Sequence, residues 1–211
     1  VKAFEWYLKA AKNNYTHAQA EVGYRYNIGK GVKKDYSEAE KWYLLAARSG
    51  IVLSQYNLGV LYDNLGLLYE SGNLGKPDYK KAYMWYKESA KNGCPRGQNN
   101  LGKCYENSKG VGKNLEEAYK WYKKSAENNY ECGQYNLGRC YEDGIGINKD
   151  LKKAEEWYLR AAERNHSGAQ LRLGYLCEFN IFGMPDFERA KKWYQKSAEN
   201  NNPWGQRLLG I

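Results

Sequence analysis

Small and apolar residues recur along this chain at helical rather than strand spacing. With Gly23 taken as position zero, they recur at positions −5, −1 and +3, and at about 100° per residue these positions share one face of a helix. A second cluster with helical spacing comprises Ala39, Trp42, Tyr43, Ala46 and Ala47. The pattern predicts alternating helices, which we call helix A, around the glycine, and helix B, around the Trp-Tyr pair.

Two independent markers repeat with one period. The Trp-Tyr pairs begin at Trp6, Trp42, Trp85, Trp121, Trp157 and Trp193, and the glycines are Gly23, Gly59, Gly102, Gly138, Gly174 and Gly210. In both series the step is 36 residues, except for one step of 43. A fixed period of this length is the signature of a repeat protein, here with a helix pair in each repeat.

The longer step coincides with a tandem duplication. Residues 57–63 read Asn-Leu-Gly-Val-Leu-Tyr-Asp, and residues 64–70 read Asn-Leu-Gly-Leu-Leu-Tyr-Glu. Seven residues make nearly two full helical turns, so the apolar face keeps its direction. We therefore predict one continuous helix from Val52 to Ser71, roughly 10 Å longer than its equivalents.

Residues that favour helix ends recur at fixed places in the repeat. Before helix B stands an Asp or Asn whose side chain can accept hydrogen bonds from free backbone N–H groups, at Asp35, Asp78, Asn114, Asp150 and Asp186. Asp35 with Glu38, and Asn114 with Glu117, have capping-box spacing. After helix B stands a residue that tolerates the left-handed backbone, at Asn14, Gly50, Gly93, Asn129, Asn165 and Asn201.

One helix pair of this size cannot bury its own apolar face, so neighbouring pairs must stack. We predict an all-α fold, a right-handed superhelical α/α solenoid of antiparallel helix pairs with a 36-residue repeat. A single array then spans 1–211, with a helix B alone at 1–14, full repeats at 15–50, 51–93, 94–129, 130–165 and 166–201, and a helix A alone at 202–211. We expect Trp and Ala of each helix B to form the core against Gly and Ala of the next helix A.

The repeat resembles that of the Sel1-like repeat family, which is related to tetratricopeptide repeats. One unit carries the family pattern as Ala18-Gln19, Gly23, Tyr26, Gly29, Gly31-Val32, Asp35, Glu38-Ala39, Trp42-Tyr43 and Ala46-Ala47. Val22 departs from the pattern by replacing Leu, and residues 180–185 lack the Gly-rich turn, so we expect a different turn there. The resemblance implies a solenoid that serves as an adaptor in protein complexes.

Composition and charge limit the classes of partner. No apolar run approaches the roughly 20 residues that cross a bilayer. The formal net charge of +9 leaves nucleic acid, acidic membranes and acidic proteins open as partners. Lysine pairs recur on helix B and are interpreted as a solvated convex face, at Lys80-Lys81, Lys123-Lys124, Lys152-Lys153 and Lys191-Lys192. No pair of residues that could read a base recurs in each repeat, so nucleic acid is less favoured than protein as a partner. For this segment, a membrane is also less favoured than protein.

The polar residues show no catalytic motif. His17 and His166 have no Cys or carboxylate at metal-ligand spacing and are interpreted as surface histidines. Cys104 and Cys140 occupy a position that holds Leu elsewhere, which predicts small buried thiols. Cys132 lies eight residues before Cys140 on one helix, roughly 12 Å away and too far for a disulfide.

We therefore predict no enzyme, no metal, no cofactor and no small-molecule substrate. The cysteines are Cys94, Cys104, Cys132, Cys140 and Cys177, and their spacing gives no stapling pair, which favours reduced thiols and a cytoplasmic location. The chain opens in mid-motif at Val1, and we expect it to be part of a longer protein.

Partner binding is predicted on the exposed side of helix A, which lines the concave surface in solenoids of this type. Asn recurs there at position −2, and an amide can both donate to and accept from a peptide backbone. An Asn-rich chain can also carry Asn at this position without a role. The predicted partner-binding residues are Asn57, Asn100, Lys103, Tyr135, Asn136 and Arg139.

Three functions fit these patterns. The leading one is a protein–protein interaction scaffold or adaptor that holds a partner peptide or protein on the concave helix A side. A second is a regulatory or targeting repeat segment of a larger enzyme, such as a kinase. A third is a basic surface that binds nucleic acid or an acidic membrane. The oligomeric state is left open by the sequence.

Overall fold

The computed structural model describes residues 2–49, 52–71, 78–179 and 185–209. Within these ranges the chain forms twelve α-helices and no strand. Their bounds are α1 (Lys2–Lys12), α2 (Thr16–Ile28), α3 (Tyr36–Arg48), α4 (Val52–Ser71), α5 (Tyr79–Lys91), α6 (Pro95–Asn107), α7 (Leu115–Glu127), α8 (Glu131–Asp143), α9 (Leu151–Glu163), α10 (Ser167–Glu178), α11 (Phe187–Glu199) and α12 (Pro203–Leu209). Even-numbered helices are A helices and odd-numbered helices are B helices. The chain divides into two compact units, residues 1–97 and 98–211.

The predicted ends of the B helices are confirmed where they are described. First-turn backbone N–H groups donate to the side chains of Asp35, Asp78, Asn114, Asp150 and Asp186. The φ angles at the other end lie between 58° and 76°, at Asn14, Gly93, Asn129, Asn165 and Asn201. The two predicted capping boxes are not completed, because the Asp35 and Asn114 N–H groups donate to the Tyr26 and Tyr105 carbonyls and Glu38 instead accepts from the Trp42 indole at 3.2 Å. Gly50 and residues 180–184, where we predict a helix end and an altered turn, lie outside the described ranges.

In four repeats the A helix meets the B helix of its own repeat where a tyrosine ring lies on a glycine, at Gly23, Gly102, Gly138 and Gly174. A Cβ added to Gly23 would come within 2.7 Å of the Tyr43 ring, and one added to Gly138 within 2.6 Å of the Tyr158 ring. Side chains do not pack this closely, so only glycine admits the ring. Tyr43, Tyr122 and Tyr158 are fully buried. Our expectation that Trp of the preceding repeat covers this glycine is therefore wrong.

Five of the six repeating tryptophans lie at the edge of the core, between consecutive repeats, whereas Trp6 of α1 is 71% exposed. Trp42 is buried, whereas the partly exposed indoles are Trp85, Trp121, Trp157 and Trp193. Trp157 packs against the cluster around Tyr122, and Trp193 packs against the cluster around Tyr158. The tyrosine thus joins the two helices of one repeat, while the tryptophan joins one repeat to the repeat before it.

A second close contact joins each B helix to the following A helix. The successive pairs of small residues are Ala46 with Ser54, Ser89 with Gly97, Ser125 with Gly133, Ala161 with Ala169, and Ser197 with Gly205. All of them are buried, and the three glycines lie directly against their serines. Ser is matched with Gly and Ala with Ala or Ser, so the combined side-chain volume is nearly constant, as close packing requires.

The duplicated seven residues lie in one continuous helix, α4, which runs from Val52 to Ser71 as predicted. Leu58 and Leu61, from the first copy, pack against the cluster around Tyr43 of the preceding repeat. In an ordinary A helix such as α8, the equivalent Leu137 and Cys140 pack against the preceding B helix in the same way. The first copy therefore packs mainly against the preceding repeat, and its Tyr62 also stacks on Trp85 of α5, with ring centroids 5.0 Å apart.

The second copy serves the B helix of its own repeat. The backbone N–H of Asp78 donates to the Tyr69 carbonyl at 2.9 Å, and the Tyr86 hydroxyl donates to the Glu70 carboxylate at 2.6 Å. In an ordinary A helix such as α8, the same stretch of seven residues packs against the preceding B helix and makes the hydrogen bonds to the B helix of its own repeat. In α4 the two sets are separated by seven residues, so α5 is displaced along α4 by roughly 10 Å.

Gly133→Ala tests the small-residue contact. The added Cβ would lie 2.7 Å from Ser125 Cβ and 2.9 Å from the Ala126 nitrogen. We expect the free energy of unfolding to fall by about 1–3 kcal/mol, the usual cost of overpacking. Adding Ser125→Ala creates the pair found at Ala161 and Ala169 and should recover part of the loss. Urea unfolding followed by circular dichroism measures both changes.

Ser125→Ala alone is the control, because it gives the cost of that change by itself and lets the coupling of the two changes be calculated. If the two losses of unfolding free energy simply add in the double variant, the matching of Ser with Gly is contradicted.

Candidate functional site

At position +4, four A helices carry a glutamate that the helical pattern places on the exposed side, and α2 carries Asn27. In the structure, Glu106 accepts a hydrogen bond from the Tyr122 hydroxyl at 2.5 Å, and Glu142 accepts one from Tyr158 at 2.5 Å. The same pair recurs as Tyr194 with Glu178 and as Tyr86 with Glu70. Burial, followed by the nearby carboxylate, raises the pKa of Tyr122 and of Tyr158. These glutamates therefore accept the hydrogen bonds of the buried tyrosine hydroxyls.

An arginine from the following A helix binds two of these carboxylates. Arg139 Nη2 lies 2.9 Å from Glu106 Oε1, and Arg172 binds both oxygens of Glu142, with Nε at 3.0 Å. The Glu106 and Glu142 side chains are only 14% and 13% exposed. Burial disfavours the charge on Arg139, but the Glu106 carboxylate outweighs this effect and the pKa of Arg139 is raised. The ion pairs therefore join consecutive repeats.

Asn136 belongs to the same network. Its Nδ2 donates to Asn99 Oδ1 at 2.8 Å, and its Oδ1 accepts from Arg139 Nη1 at 3.3 Å. Only 5% of Asn136 is exposed. Both ends of its amide therefore have partners inside the protein, and the amide holds Arg139 in place.

Tyr135 is half-buried and stacks on His166, with ring centroids 4.5 Å apart and the planes inclined by 21°. His166 is the N-cap of α10, because its Nδ1 accepts from the Ala169 N–H at 3.1 Å. Burial lowers the pKa of His166, and the charge of Lys103 lowers it further against the opposing effect of Glu131. The interpretation of His166 as an ordinary surface histidine is wrong, whereas His17 is exposed.

Five of the six predicted partner-binding residues lie on α6 and α8 of the second unit, and we call this set the helix A face. Its members are Asn100, Lys103, Tyr135, Asn136 and Arg139. Lys103 is exposed, Asn100, Tyr135 and Arg139 are partly exposed, and Asn136 is buried. Asn57 lies on α4 of the first unit and is partly exposed. That these residues bind a partner stays a prediction.

Sequence analysis missed a buried glutamine that links three helices. Gln170 Nε2 donates to the Ala162 carbonyl of α9 at 3.2 Å, and Gln170 Oε1 accepts from Asn200, the C-cap of α11, at 3.0 Å. Gln98 accepts from Asn128 in the same way at 2.9 Å. Gln stands four residues before the glycine in every repeat. A polar residue recurring beside small buried residues is a signal of an internal hydrogen bond.

Within the described ranges, no group of three His, Cys, Asp or Glu side chains is placed to hold a metal ion. No helix there is long and apolar enough to cross a membrane. Cys104 and Cys140 are buried as predicted, and burial raises the pKa of Cys140 to about 12, which keeps the thiol protonated.

The repeat itself matches a known family model. The model for the Sel1 repeat matches residues 1–15, 16–51, 52–94, 95–130, 133–166 and 167–202. The match at 52–94 contains the duplicated seven residues. A sel1-like repeat-containing protein of Acanthamoeba polyphaga mimivirus is 39% identical over 54 residues, which is 26% of this chain and 10% of that protein.

Solved structures show the same fold. A Sel1 repeat protein from Oxalobacter formigenes is 31% identical, with a TM-score of 0.73 over 99% of this chain and 82% of that one. A protective antigen of uropathogenic Escherichia coli with an SLR fold is 34% identical, with a TM-score of 0.67 over 98% of this chain. This chain spans 50% of the length of the antigen. The all-α solenoid predicted from the sequence is confirmed.

We expect His166 to make the protein less stable in mild acid. In the unfolded chain an imidazole has a pKa of about 6.5, whereas in the fold burial lowers the pKa of His166. Between these values the unfolded state binds a proton that the native state does not, so the free energy of unfolding falls as the pH drops below about 6.5. His166→Asn keeps a capping acceptor without a titratable ring. Urea unfolding at about pH 7.5 and 5.5 should show a smaller loss for this variant than for the parent.

His17→Asn changes an exposed histidine and should behave like the parent. An equal loss of stability in His166→Asn and in the parent would show that this cap does not set the pH dependence.

Proposed function

Because the chain belongs to the Sel1 repeat family, we propose that it is a scaffold that binds a protein or peptide partner through the helix A face. Sel1 repeat proteins are in general protein-interaction scaffolds. The observation that carries the proposal is that Arg139 and Tyr135 are held in place on this face, with the exposed Lys103 beside them. Asn57 is proposed to contribute at the corresponding place in the first unit.

Rigidity of the helix A face supports this function. Arg139 is held by Glu106 and Asn136, and Tyr135 is held by the ring of His166. Side chains fixed before binding lose less conformational freedom when a partner arrives. Arg139 keeps 30% of its side chain exposed, and its guanidinium has N–H donors beyond those used in the two bonds. Arg and Tyr are also enriched among the residues that dominate protein interfaces.

The residues of the helix A face are proposed to divide between contact and support. Lys103 is exposed and Tyr135 is partly exposed, so both can touch a partner directly. Asn100 lies one helical turn before Lys103 and is proposed as a further contact. Asn136 acts through Arg139, because a peptide would have to displace both existing bonds of its amide to reach it.

Changes on the helix A face should abolish partner capture. We expect the immobilised chain to capture specific proteins from an extract of its own cells, identified by quantitative mass spectrometry. Lys103→Glu reverses a charge and Tyr135→Ala removes an aromatic contact. If both residues are hot spots worth about 2 kcal/mol or more, each variant should weaken binding about 30-fold.

Lys152→Glu is the matched control, because it reverses an exposed charge in the first turn of α9. It should leave capture unchanged, and circular dichroism should show that every variant is folded at the assay temperature, because Tyr135→Ala also removes the stack on His166. Undiminished capture by both Lys103→Glu and Tyr135→Ala would exclude the helix A face as the binding surface.

A further inference from the structure

The B helices of the second unit carry a row of cations. In α7, α9 and α11 a Lys or Arg lies over the indole three residues before it, at 4.3, 4.5 and 4.7 Å from the ring centroid. The pairs are Trp121 with Lys124, Trp157 with Arg160, and Trp193 with Lys196. The cations are exposed and the indoles are partly exposed. We call Lys124, Arg160 and Lys196 the cation row.

A row of carboxylates stands three residues further along the same helices. These are the last residues of α7, α9 and α11, all exposed, and we call them the acid row: Glu127, Glu163 and Glu199. The C-terminus of a helix carries partial negative charge, which favours Lys or Arg and disfavours Glu. The first unit follows this preference, since its B helices end with Lys12, Arg48 and Lys91. The acid row therefore opposes the dipoles of its own helices.

Contacts within the second unit do not compensate for the acid row. Glu127 lies 3.9 Å from Lys123, at the limit of an ion pair. Glu163 and Glu199 have no ion pair with any other residue in the described ranges. The cation row lies over the indoles, and a Glu that follows its Lys along a helix is the less favourable order for pairing. Within the described ranges, the acid row is therefore exposed to solvent and has a single weak ion pair, that of Glu127 with Lys123.

We propose that this surface, formed by the cation row and the acid row, binds the same surface of a second copy of the chain. A nucleic acid or an acidic membrane would be attracted by the cation row and repelled by the acid row. Two copies fit when a two-fold axis runs between the rows and parallel to them, because each cation row then lies opposite an acid row. Lys124 of one copy then faces Glu127 of the other, and each repeat adds an equivalent pair. A two-fold axis across the rows would instead place like charges together.

The size of the surface predicts a weak dimer. Each of the three helices has 13 residues, so it is about 20 Å long. About the two-fold axis only the C-terminal ends of these helices overlap, roughly 10 Å of each, because the rows lie in the last four residues. With neighbouring helices about 10 Å apart, the overlap is roughly 300 Å² per copy, or about 600 Å² in total. This is below the size of stable interfaces, so the dimer is transient and depends on the charge pairs. The inference goes beyond the proposed function and involves other helices, so either can fail without the other.

Sedimentation velocity of the full chain tests the proposal. We expect a dimer at about 100 µM protein in about 50 mM NaCl and mainly monomer in about 500 mM NaCl. One triple variant, Lys124→Glu, Arg160→Glu and Lys196→Glu, makes both rows acidic. The other, Glu127→Lys, Glu163→Lys and Glu199→Lys, makes both rows basic. Each alone should raise the dimer Kd at least about tenfold, whereas an equimolar mixture should form a heterodimer at low salt.

General attraction between the two triple variants cannot produce that heterodimer. Each reversal changes the charge by two units, so the variants carry net charges of +3 and +15 in place of +9, and both stay positive. The matched control reverses the B-helix ends of the first unit, with Lys12→Glu, Arg48→Glu and Lys91→Glu, and should leave the dimer intact. Circular dichroism checks that every variant is folded. A parent that is monomeric at low salt, or triple variants that do not associate when mixed, would overturn the proposal.

Discussion

The close approach of a tyrosine ring to a glycine is the contact on which the other interactions of a repeat depend. Because Gly138 has no Cβ, the ring of Tyr158 lies against the helix and its hydroxyl reaches Glu142 across 2.5 Å. Once removed from water, that carboxylate needs a cation, and Arg172 of the next A helix supplies it. Packing inside one repeat is thereby converted into an electrostatic link between two repeats.

This dependence explains why the helix A face is both polar and rigid. A buried ion pair stabilises a fold only where further hydrogen bonds complete its geometry, and the Glu106 carboxylate has both Tyr122 and Arg139. Removing one partner would leave a buried charge or hydroxyl unsatisfied, so these residues cannot change singly without a loss of stability. Residues outside the network, such as Lys103, are free to differ and can give an array its own partner.

Sequence patterns correctly predicted the features that local rules determine, such as helix length and helix ends. They failed where two residues could occupy the same position in the core. The length of α4 and its boundaries follow from helical phase and from end-favouring residues, and both agree with the structure. Trp42 and Tyr43 are adjacent large aromatic residues, and periodicity does not say which ring enters the space above Gly23. It also cannot distinguish a glutamate that faces water from one that faces a buried hydroxyl, as Glu106 does. The constant separation of 16 residues between such a Glu and its Tyr was the available signal.

The seven extra residues of α4 show which insertions an A helix in this array can accept, namely those that return the helix to nearly the same phase. At about 100° per residue, seven residues bring the helix to within about 20° of its starting phase, whereas five would rotate it by about 140° and turn Leu58 or its counterpart into water. Insertions of seven or eleven residues preserve the phase, and each added residue moves the next helix by about 1.5 Å. Such an insertion is a spacer: it changes the distance between neighbouring elements while the packing on each side is conserved.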